Sequence, residues 1–261
     1  MQELYSFLNK IAKSDSDYFF AKAMDQIYLC IESNAPRFTE FLDPVRRDYI
    51  HRNLGNITKY GIFLEEDGGY PEAERKMLGF STGRLSSTDF PIARIRLDFD
   101  TKHATLTHGD FLGALMGLGL DRSALGDIVL AHGYAVAVVS IQIEDFVLQN
   151  LFKVGKIAVS AGALARDDYF FGKDDRVNDS IICSSLRLDS VLAAAFRLSR
   201  SEVAAMVKSG KVFINWQEAS SGVKPVKEGD MLTLRRFGRI QIKEFAGKSK
   251  KGHFFINILR F

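Results

Sequence analysis

The residues best suited to chemistry in this chain are basic side chains grouped around two predicted helices in its last third. Ser199 is placed to cap the second helix, and Gly210 is placed to end it. If the two helices pack as a tight hairpin, the first N–H groups of the second helix and the nearby side chains converge on one place, which suits phosphate. The candidate phosphate ligands are Arg187, Arg200, Ser201, Lys208 and Lys211.

Further basic residues extend this candidate site toward the end of the chain. They are Arg235, Arg236 and Arg239, followed by Lys248, Lys250 and Lys251. Trp216, at the end of a predicted strand, either stacks on a base or packs in the core. Clustered basic charge indicates a nucleic-acid interface, and the alternative is a solvated basic surface.

The charge of the chain is unevenly distributed. In total, 35 Lys and Arg oppose 32 Asp and Glu, a net charge of +3. Residues 184–261 carry 15 basic and 6 acidic residues, a net of +9, which leaves 20 basic and 26 acidic residues, a net of −6, for residues 1–183. We therefore expect RNA to bind at the C-terminal end, and an acidic body that docks a protein partner through residues 1–179 is compatible with this.

Several classes of protein are disfavoured by composition and spacing. The first ten residues lack the apolar core of a signal peptide, and the longest nearly apolar run, 111–120, is half of the roughly 20 residues that a membrane span needs. Two isolated cysteines, Cys30 and Cys183, fit buried free thiols in the cytoplasm. The expectation is a cytoplasmic protein with no membrane contact.

The sequence offers no clear set of metal ligands or catalytic residues. Five histidines, at positions 51, 103, 108, 132 and 253, have no metal-ligand spacing. The Asp-rich stretch 166–179, with Asp167, Asp168, Asp174, Asp175 and Asp179, lacks the alternation and terminal Glu of a calcium loop. We expect no cofactor, no metal and no catalytic residue.

Hydrophobic periodicity predicts an α+β protein in three parts. Residues 1–80 are predicted to be mostly helical, including a short helical stretch from Pro71 to Lys76. Residues 81–179 follow a β-α-β-β-α-β order, which predicts a ferredoxin-like sandwich that ends in the acidic linker. Residues 180–261 are predicted to form two short helices and then a small β-sheet.

Four short motifs in the third part carry a family resemblance. They are Leu186-Arg187-Leu188-Asp189, Leu198-Ser199-Arg200-Ser201, Gly210-Lys211-Val212-Phe213-Ile214-Asn215 and Glu228-Gly229-Asp230. In this order, over about 60 residues, they resemble the S-four (S4) RNA-binding domain. The resemblance implies that Asp189 is mainly structural and that Asn215 forms a turn.

Motifs along nearly the whole chain resemble the YlmH family of bacterial RNA-binding proteins. They are Phe41 to Pro44, Gly68 to Pro71, Ala73 to Lys76, Phe111 to Leu120, Gly126 to Ile128, Ser184 to Asp189 and Val212 to Trp216. The resemblance implies an N-terminal domain, a central RRM-like domain and a C-terminal S4 domain. It also implies rRNA and tRNA as partners, on stalled large ribosomal subunits that still hold peptidyl-tRNA in ribosome-associated quality control.

The central domain departs from the family pattern. The His that opens its first helix is usually followed by Arg, but here His108 precedes Gly109. Phe99 is the one aromatic residue on its strands that we nominate for base stacking, and a core position is the alternative. The central domain is therefore predicted to be a protein-contact or spacer module.

An RNA pseudouridine synthase is the enzymatic alternative. Such enzymes often carry an S4 domain and use the Asp of an Arg-Leu-Asp tripeptide, which this chain has at Arg96 to Asp98 and at Arg187 to Asp189. The alternative would use Asp98, although strand alternation also explains that tripeptide. A tyrosyl-tRNA synthetase is disfavoured because the chain has no N-terminal ATP-binding signature.

Overall fold

The computed structural model describes residues 3–8, 18–101, 106–166, 168, 177–250 and 252–261. His103, Asp167, Asp174, Asp175 and Lys251 lie outside the described residues. The chain divides into two compact units, 1–173 and 174–261. Within the described ranges, no helix has the length and apolar content to cross a membrane.

The N-terminal part of the first unit combines helices with a small sheet. After helical residues 3–8, the elements are α1 (Tyr18–Ser33), β1 (Arg37–Phe38), α2 (Pro44–Leu54), β2 (Phe63–Asp67) and β3 (Met77–Ser81). Asp43 caps α2 by accepting a hydrogen bond from the Arg46 N–H at 2.9 Å, and Pro44 starts the helix. The strands pair antiparallel in the order β1-β3-β2.

The predicted helices of this part are confirmed, but the sheet was missed and the helix from Pro71 to Lys76 was wrong. Residues 70–75 form turns and bends, and Lys76 forms an isolated β-bridge with Leu42, so this stretch is not a helix. Strand β1 has only two residues and β2 is mostly acidic, with Glu65, Glu66 and Asp67, so neither shows the alternation that identifies a strand. Both strands are held in extended conformation by backbone hydrogen bonds to the buried strand β3, and the local sequence does not indicate this pairing.

The central β-α-β-β-α-β prediction is confirmed. The elements are β4 (Ile92–Phe99), α3 (His108–Gly117), β5 (Leu125–Ala131), β6 (Tyr134–Ser140), α4 (Glu144–Asn150), β7 (Lys153–Val154) and β8 (Ile157–Ala163). The antiparallel sheet has the order β5-β6-β4-β8-β7, the arrangement of a ferredoxin-like fold with one added short strand. Phe99 packs against Phe111 of the helical layer, 5.5 Å between ring centroids, so it belongs to the core.

The second unit pairs a helix hairpin with a larger sheet than the sequence indicated. The elements are β9 (Val177–Cys183), α5 (Leu188–Phe196), α6 (Arg200–Lys208), β10 (Val212–Ile214), β11 (Gln217–Glu218), β12 (Met231–Leu234), β13 (Gly238–Lys248) and β14 (Phe254–Arg260). The strand order is β11-β10-β12-β13-β14-β9. Strand β9 begins inside the stretch predicted to be an acidic linker. Its strand conformation is stabilised by pairing with β14, almost eighty residues later in the chain.

Candidate nucleic-acid interface

The first turns of α5 and α6 meet at one buried carboxylate. Arg187 donates to Asp189 through Nε at 3.2 Å and Nη2 at 2.8 Å. Arg200 donates to both carboxylate oxygens of Asp189 through Nη2, at 3.2 and 3.1 Å. The Asp189 side chain is 9% exposed, whereas the side chains of Arg187 and Arg200 are 42% and 49% exposed. The carboxylate therefore holds two solvent-facing guanidinium groups side by side.

The turn between the helices is specified locally. Arg197 ends α5 in the left-handed conformation, at φ 56°, and the Leu198 N–H donates to the Ala193 carbonyl at 3.0 Å. Ser199 then caps α6, because its hydroxyl accepts from the Glu202 N–H while Glu202 accepts from the Ser199 N–H. The short turn brings the Arg200 side chain back to the start of α5.

Electrostatics keep Asp189 ionised. Burial alone raises the pKa of the Asp189 carboxyl, but hydrogen bonds from Arg187 and Arg200 outweigh burial and hold that pKa below its usual value. The carboxylate neutralises part of the charge of the two arginines, and their exposed edges remain open toward solvent.

The structure brings only some of the predicted phosphate ligands together. Ser201 lies in the first turn of α6, where its hydroxyl is 2.9 Å from that of Ser199. Lys208 is at the other end of α6, about 12 Å along the helix at 1.5 Å per residue. Lys211 follows just beyond. The expected convergence therefore holds for Arg187, Arg200 and Ser201, which form the first basic group. Lys208 and Lys211 belong to a second basic group, together with Arg235 and Arg236.

The second group surrounds the end of α6 and the turn after β12. The Arg235 N–H donates to the Lys211 carbonyl at 2.9 Å, which fixes these two residues side by side. Arg235 and Arg236 are both exposed, and Arg236 has the positive φ of 74° that closes the turn into β13. Arg239 lies on β13. Lys248 is at the far end of that strand, with its ammonium 4.4 Å from the centre of the Phe254 ring, and the exposed Lys250 follows.

Sequence reasoning missed Lys224 as a neighbour of the first group. The Leu188 N–H donates to the Lys224 carbonyl at 2.9 Å, and Arg187 forms an isolated β-bridge with Pro225. Lys224 is exposed. No local motif identifies it, because it is brought to Arg187 by backbone pairing across 37 positions.

Trp216 lies in a turn and not in a strand. Asn215 and Trp216 have φ of 48° and 63°, and they connect β10 to β11 as the two central residues of a tight hairpin. Asn215 is the turn-forming residue that the family resemblance implies. Its side chain donates to the Asp230 carboxylate at 2.9 Å and accepts from the Met231 N–H at 2.8 Å. The indole of Trp216 is half-buried at the turn.

One face of the central sheet is partly covered by the N-terminal part of the same unit. Ile92 and Val138, on β4 and β6, form a buried cluster with Phe41, Met77 and Phe90. Gly69, at φ 83°, lies so close that a Cβ there would approach a methyl group of Val138 at 3.0 Å. RRM domains bind single-stranded RNA across this face of the sheet. In this protein the N-terminal part covers much of that face.

Three arginines of the central domain are engaged within the protein. Arg94 is buried and donates to the Asp168 carbonyl at 3.3 Å, and Arg122 donates to the Leu125 carbonyl at 2.6 Å. Arg96 lies 3.9 Å from the centre of the Tyr134 ring and donates to Asp98 at 2.8 Å. Asp98, the residue of the enzymatic alternative, is thus half-exposed and bound to Arg96. Among the described residues, no group of three His, Cys, Asp or Glu is arranged to hold a metal ion.

The fold and the paired arginines define a class of RNA-binding proteins with a C-terminal S4 domain, and comparison with known proteins agrees. The family described as "Putative RNA-binding domain in YlmH" matches residues 86–167, and the family "S4 domain" matches residues 186–232. The "Ribosome-associated protein quality control protein P2" of Bacillus subtilis (strain 168) is 33% identical over 254 residues, 96% of each chain. The solved "Cell division protein ylmH from Streptococcus pneumoniae" is 25% identical, with a TM-score of 0.47 over 56% of this chain and 89% of that one.

The identity and coverage of the Bacillus subtilis relative establish the family. The chain belongs to the YlmH family of RNA-binding proteins.

Proposed function

We propose that this protein is a non-enzymatic, cytoplasmic factor of ribosome-associated quality control, and that it grips rRNA and tRNA on the stalled large ribosomal subunit. The observation that carries the proposal is the pair of guanidinium groups fixed by Asp189 at the first turns of α5 and α6. The name of the Bacillus subtilis relative, which covers 96% of this chain, supports the ribosomal setting.

Fixed arginines suit backbone recognition of structured RNA. A guanidinium presents its donors in a planar fork that matches phosphate oxygens, and less entropy is lost when the fork is already oriented. The N–H groups in the first turn of α6 add partial positive charge at the same place. The predicted contacts are therefore to phosphates and to helix shape, without direct reading of paired bases.

The two separate basic groups support binding of two RNA backbones. Arg187 and Arg200 lie at one end of α6, and Lys208 and Lys211 lie at the other, about 12 Å away along the helix. A large subunit that retains peptidyl-tRNA presents rRNA and tRNA close together. Each basic group contacts one of these two RNA molecules. Residues 1–179, which carry a net charge of −6, remain available to a protein partner.

Cosedimentation with separated ribosomal subunits tests this function. We expect the wild-type protein to travel with large subunits that carry peptidyl-tRNA and to lose them as salt rises. With about six phosphate contacts, the slope of log affinity against log salt should be about −4 to −5. Arg200→Glu should abolish cosedimentation, whereas Arg52→Glu, the same reversal on the exposed face of α2, should leave it intact. Binding that ignores salt and survives Arg200→Glu would overturn the proposal.

The non-enzymatic part of the proposal has its own test. Asp98 is held by Arg96 on a half-exposed strand position. Incubation of the protein with unmodified rRNA, followed by mapping of uridines, should reveal no new pseudouridine. Pseudouridine that is formed by the wild-type protein but not by Asp98→Ala would establish the enzymatic alternative instead.

A further inference from the structure

One end of the six-stranded sheet carries an aromatic and basic row on the face opposite the helices. Val212, Ile214 and Leu234 point into the core beneath α5 and α6. The alternate positions therefore point to the other face. Strand pairing sets Phe213 opposite Thr233, and Thr233 opposite Arg239. The Phe261 N–H donates to the Arg239 carbonyl at 3.0 Å, which extends the row by one more chain segment.

Each end of this row is a phenylalanine with a guanidinium over its ring. The Cζ atom of Arg235 lies 4.7 Å from the centre of the Phe213 ring, and that of Arg239 lies 5.2 Å from the centre of the Phe261 ring. Phe261 is 40% exposed, and Phe213 is half-buried. The two rings are separated by three strand spacings, about 14 Å.

We propose that this row is a second RNA contact, which stacks the unpaired bases of a single-stranded segment on Phe213 and Phe261. The inference rests on the proposed function and adds base contacts to the phosphate contacts of the helix hairpin. Aromatic rings bind bases through their faces regardless of base identity, and neighbouring arginines add charge for the backbone.

Charge and position favour RNA over a protein as the occupant. Four basic residues border the row: Lys211, Arg235, Arg236 and Arg239. The carboxylate of Glu218 lies next to Phe213 across the β10–β11 pair and beside Gly210. The row is also continuous with the second basic group, because the Arg235 backbone is hydrogen-bonded to Lys211. An RNA strand bound by Lys211 and Arg235 would therefore lie beside the Phe213 ring.

The experiment compares two RNAs that differ only in a single-stranded tail. The full-length protein is titrated with a blunt RNA hairpin and with the same hairpin carrying a short tail that contains 2-aminopurine. We expect the tailed RNA to bind more tightly and the 2-aminopurine fluorescence to be quenched by stacking. Each stacked base should add about fivefold or more to the affinity.

Conservative variants separate stacking from folding. Phe213→Leu combined with Phe261→Leu retains apolar side chains but removes the aromatic faces, so it should erase the advantage of the tail and the quenching, while blunt-hairpin binding is preserved. Phe255→Leu is the matched control, because Phe255 is on the same sheet face near its other end and is 37% exposed. It should behave as wild type.

The outcomes distinguish this inference from the proposed function. If the wild-type protein binds both RNAs equally with a steep salt dependence, phosphate binding by the α5–α6 helix hairpin stands and base stacking on the row is overturned. Quenching that persists in the double leucine variant also overturns it, because the bases then stack at another place on the protein. Absence of binding to either RNA overturns both proposals.

Discussion

The guanidinium of Arg200, at the start of α6, donates to both oxygens of the Asp189 carboxylate in the first turn of α5, at 3.1 and 3.2 Å. Arg187 binds the same carboxylate, which is nearly inaccessible to solvent. One buried carboxylate thus determines where two solvent-facing arginines point. The stability of the hairpin and the orientation of its arginines depend on the same side chain.

Asp189→Asn should destabilise the second unit. The amide retains one acceptor but loses the negative charge that faces two guanidinium groups, so the free energy of unfolding should fall by about 1.5 to 3 kcal/mol. Urea unfolding followed by fluorescence of Trp216, the single tryptophan of the chain, measures this.

Asp179→Asn is the matched control for that measurement. Asp179 pairs with Arg260 at 2.7 Å, but both side chains are partly exposed, at 40% and 31%. Exposed pairs contribute about 0 to 1 kcal/mol, so this variant should unfold close to wild type. Equal destabilisation by both variants would contradict the special role of Asp189.

The contribution of Asp189 should vanish in acid. The hydrogen bonds from both arginines depress its pKa in the folded state, although burial opposes them. Its stabilising effect is therefore fully present above the unfolded-state pKa of about 3.9, and it is lost as pH falls through the lower folded-state pKa. The difference in unfolding free energy between wild type and Asp189→Asn should be constant from pH 7 to pH 5 and should shrink below about pH 4.

The parts of the fold that sequence predicts are those encoded locally. The cap at Ser199 and the stop at Gly210 bound α6 correctly, and these signals lie within a few residues of the helix ends. Strand β9 was missed because Asn178, Asp179 and Ser180 make its first half polar, and because its pairing partner β14 is almost eighty residues away. Strand β13 was missed for a related reason, since Lys243 and Glu244 interrupt its apolar alternation at a bulge.

The candidate site was predictable to a similar extent. The meeting of Arg187 and Arg200 follows from a short helix hairpin, which sequence indicates. The approach of Lys224 to Arg187 depends on backbone pairing between distant segments, and the alignment of Phe213 with Thr233 and Arg239 depends on strand register. Neither relationship has a local signal.

Asp127 should be a main anchor between the N-terminal and central parts of the first unit. Its carboxylate accepts from the Tyr70 hydroxyl at 2.9 Å and from the Glu74 and Arg75 N–H groups at 2.6 and 3.3 Å. Asp127→Ala leaves these donors without the carboxylate and should lower the unfolding free energy by about 3 kcal/mol. Tyr70→Phe removes one of the bonds and should cost about 1 kcal/mol. Calorimetry of the full chain compares the two, and a larger loss for Tyr70→Phe would contradict this ordering.

The sheet face of the central domain should contribute little to RNA affinity. Ile92 and Val138 are buried under the N-terminal part, and Arg96 is engaged by Asp98 and the Tyr134 ring. We therefore expect Arg96→Ala to change the affinity for ribosomal RNA less than Arg200→Ala does, in parallel binding titrations at one salt concentration. A loss as large as that of Arg200→Ala would show that this face binds RNA.

Trp216 holds a backbone conformation that disfavours its own side chain. At φ 63° the residue is in the left-handed region, which costs a residue with a Cβ about 1 to 2 kcal/mol and costs glycine almost nothing. Trp216→Gly should therefore recover part of this strain, although it also loses the packing of a half-buried indole. If the indole stacks on a base, the same variant should weaken RNA binding by about 1 to 3 kcal/mol.

Stability near the wild-type value with weaker RNA binding would assign Trp216 to recognition. A large loss of stability, measured by circular dichroism during urea unfolding, with unchanged binding would assign the indole to packing, because strain is tolerated in proteins where another interaction compensates for it.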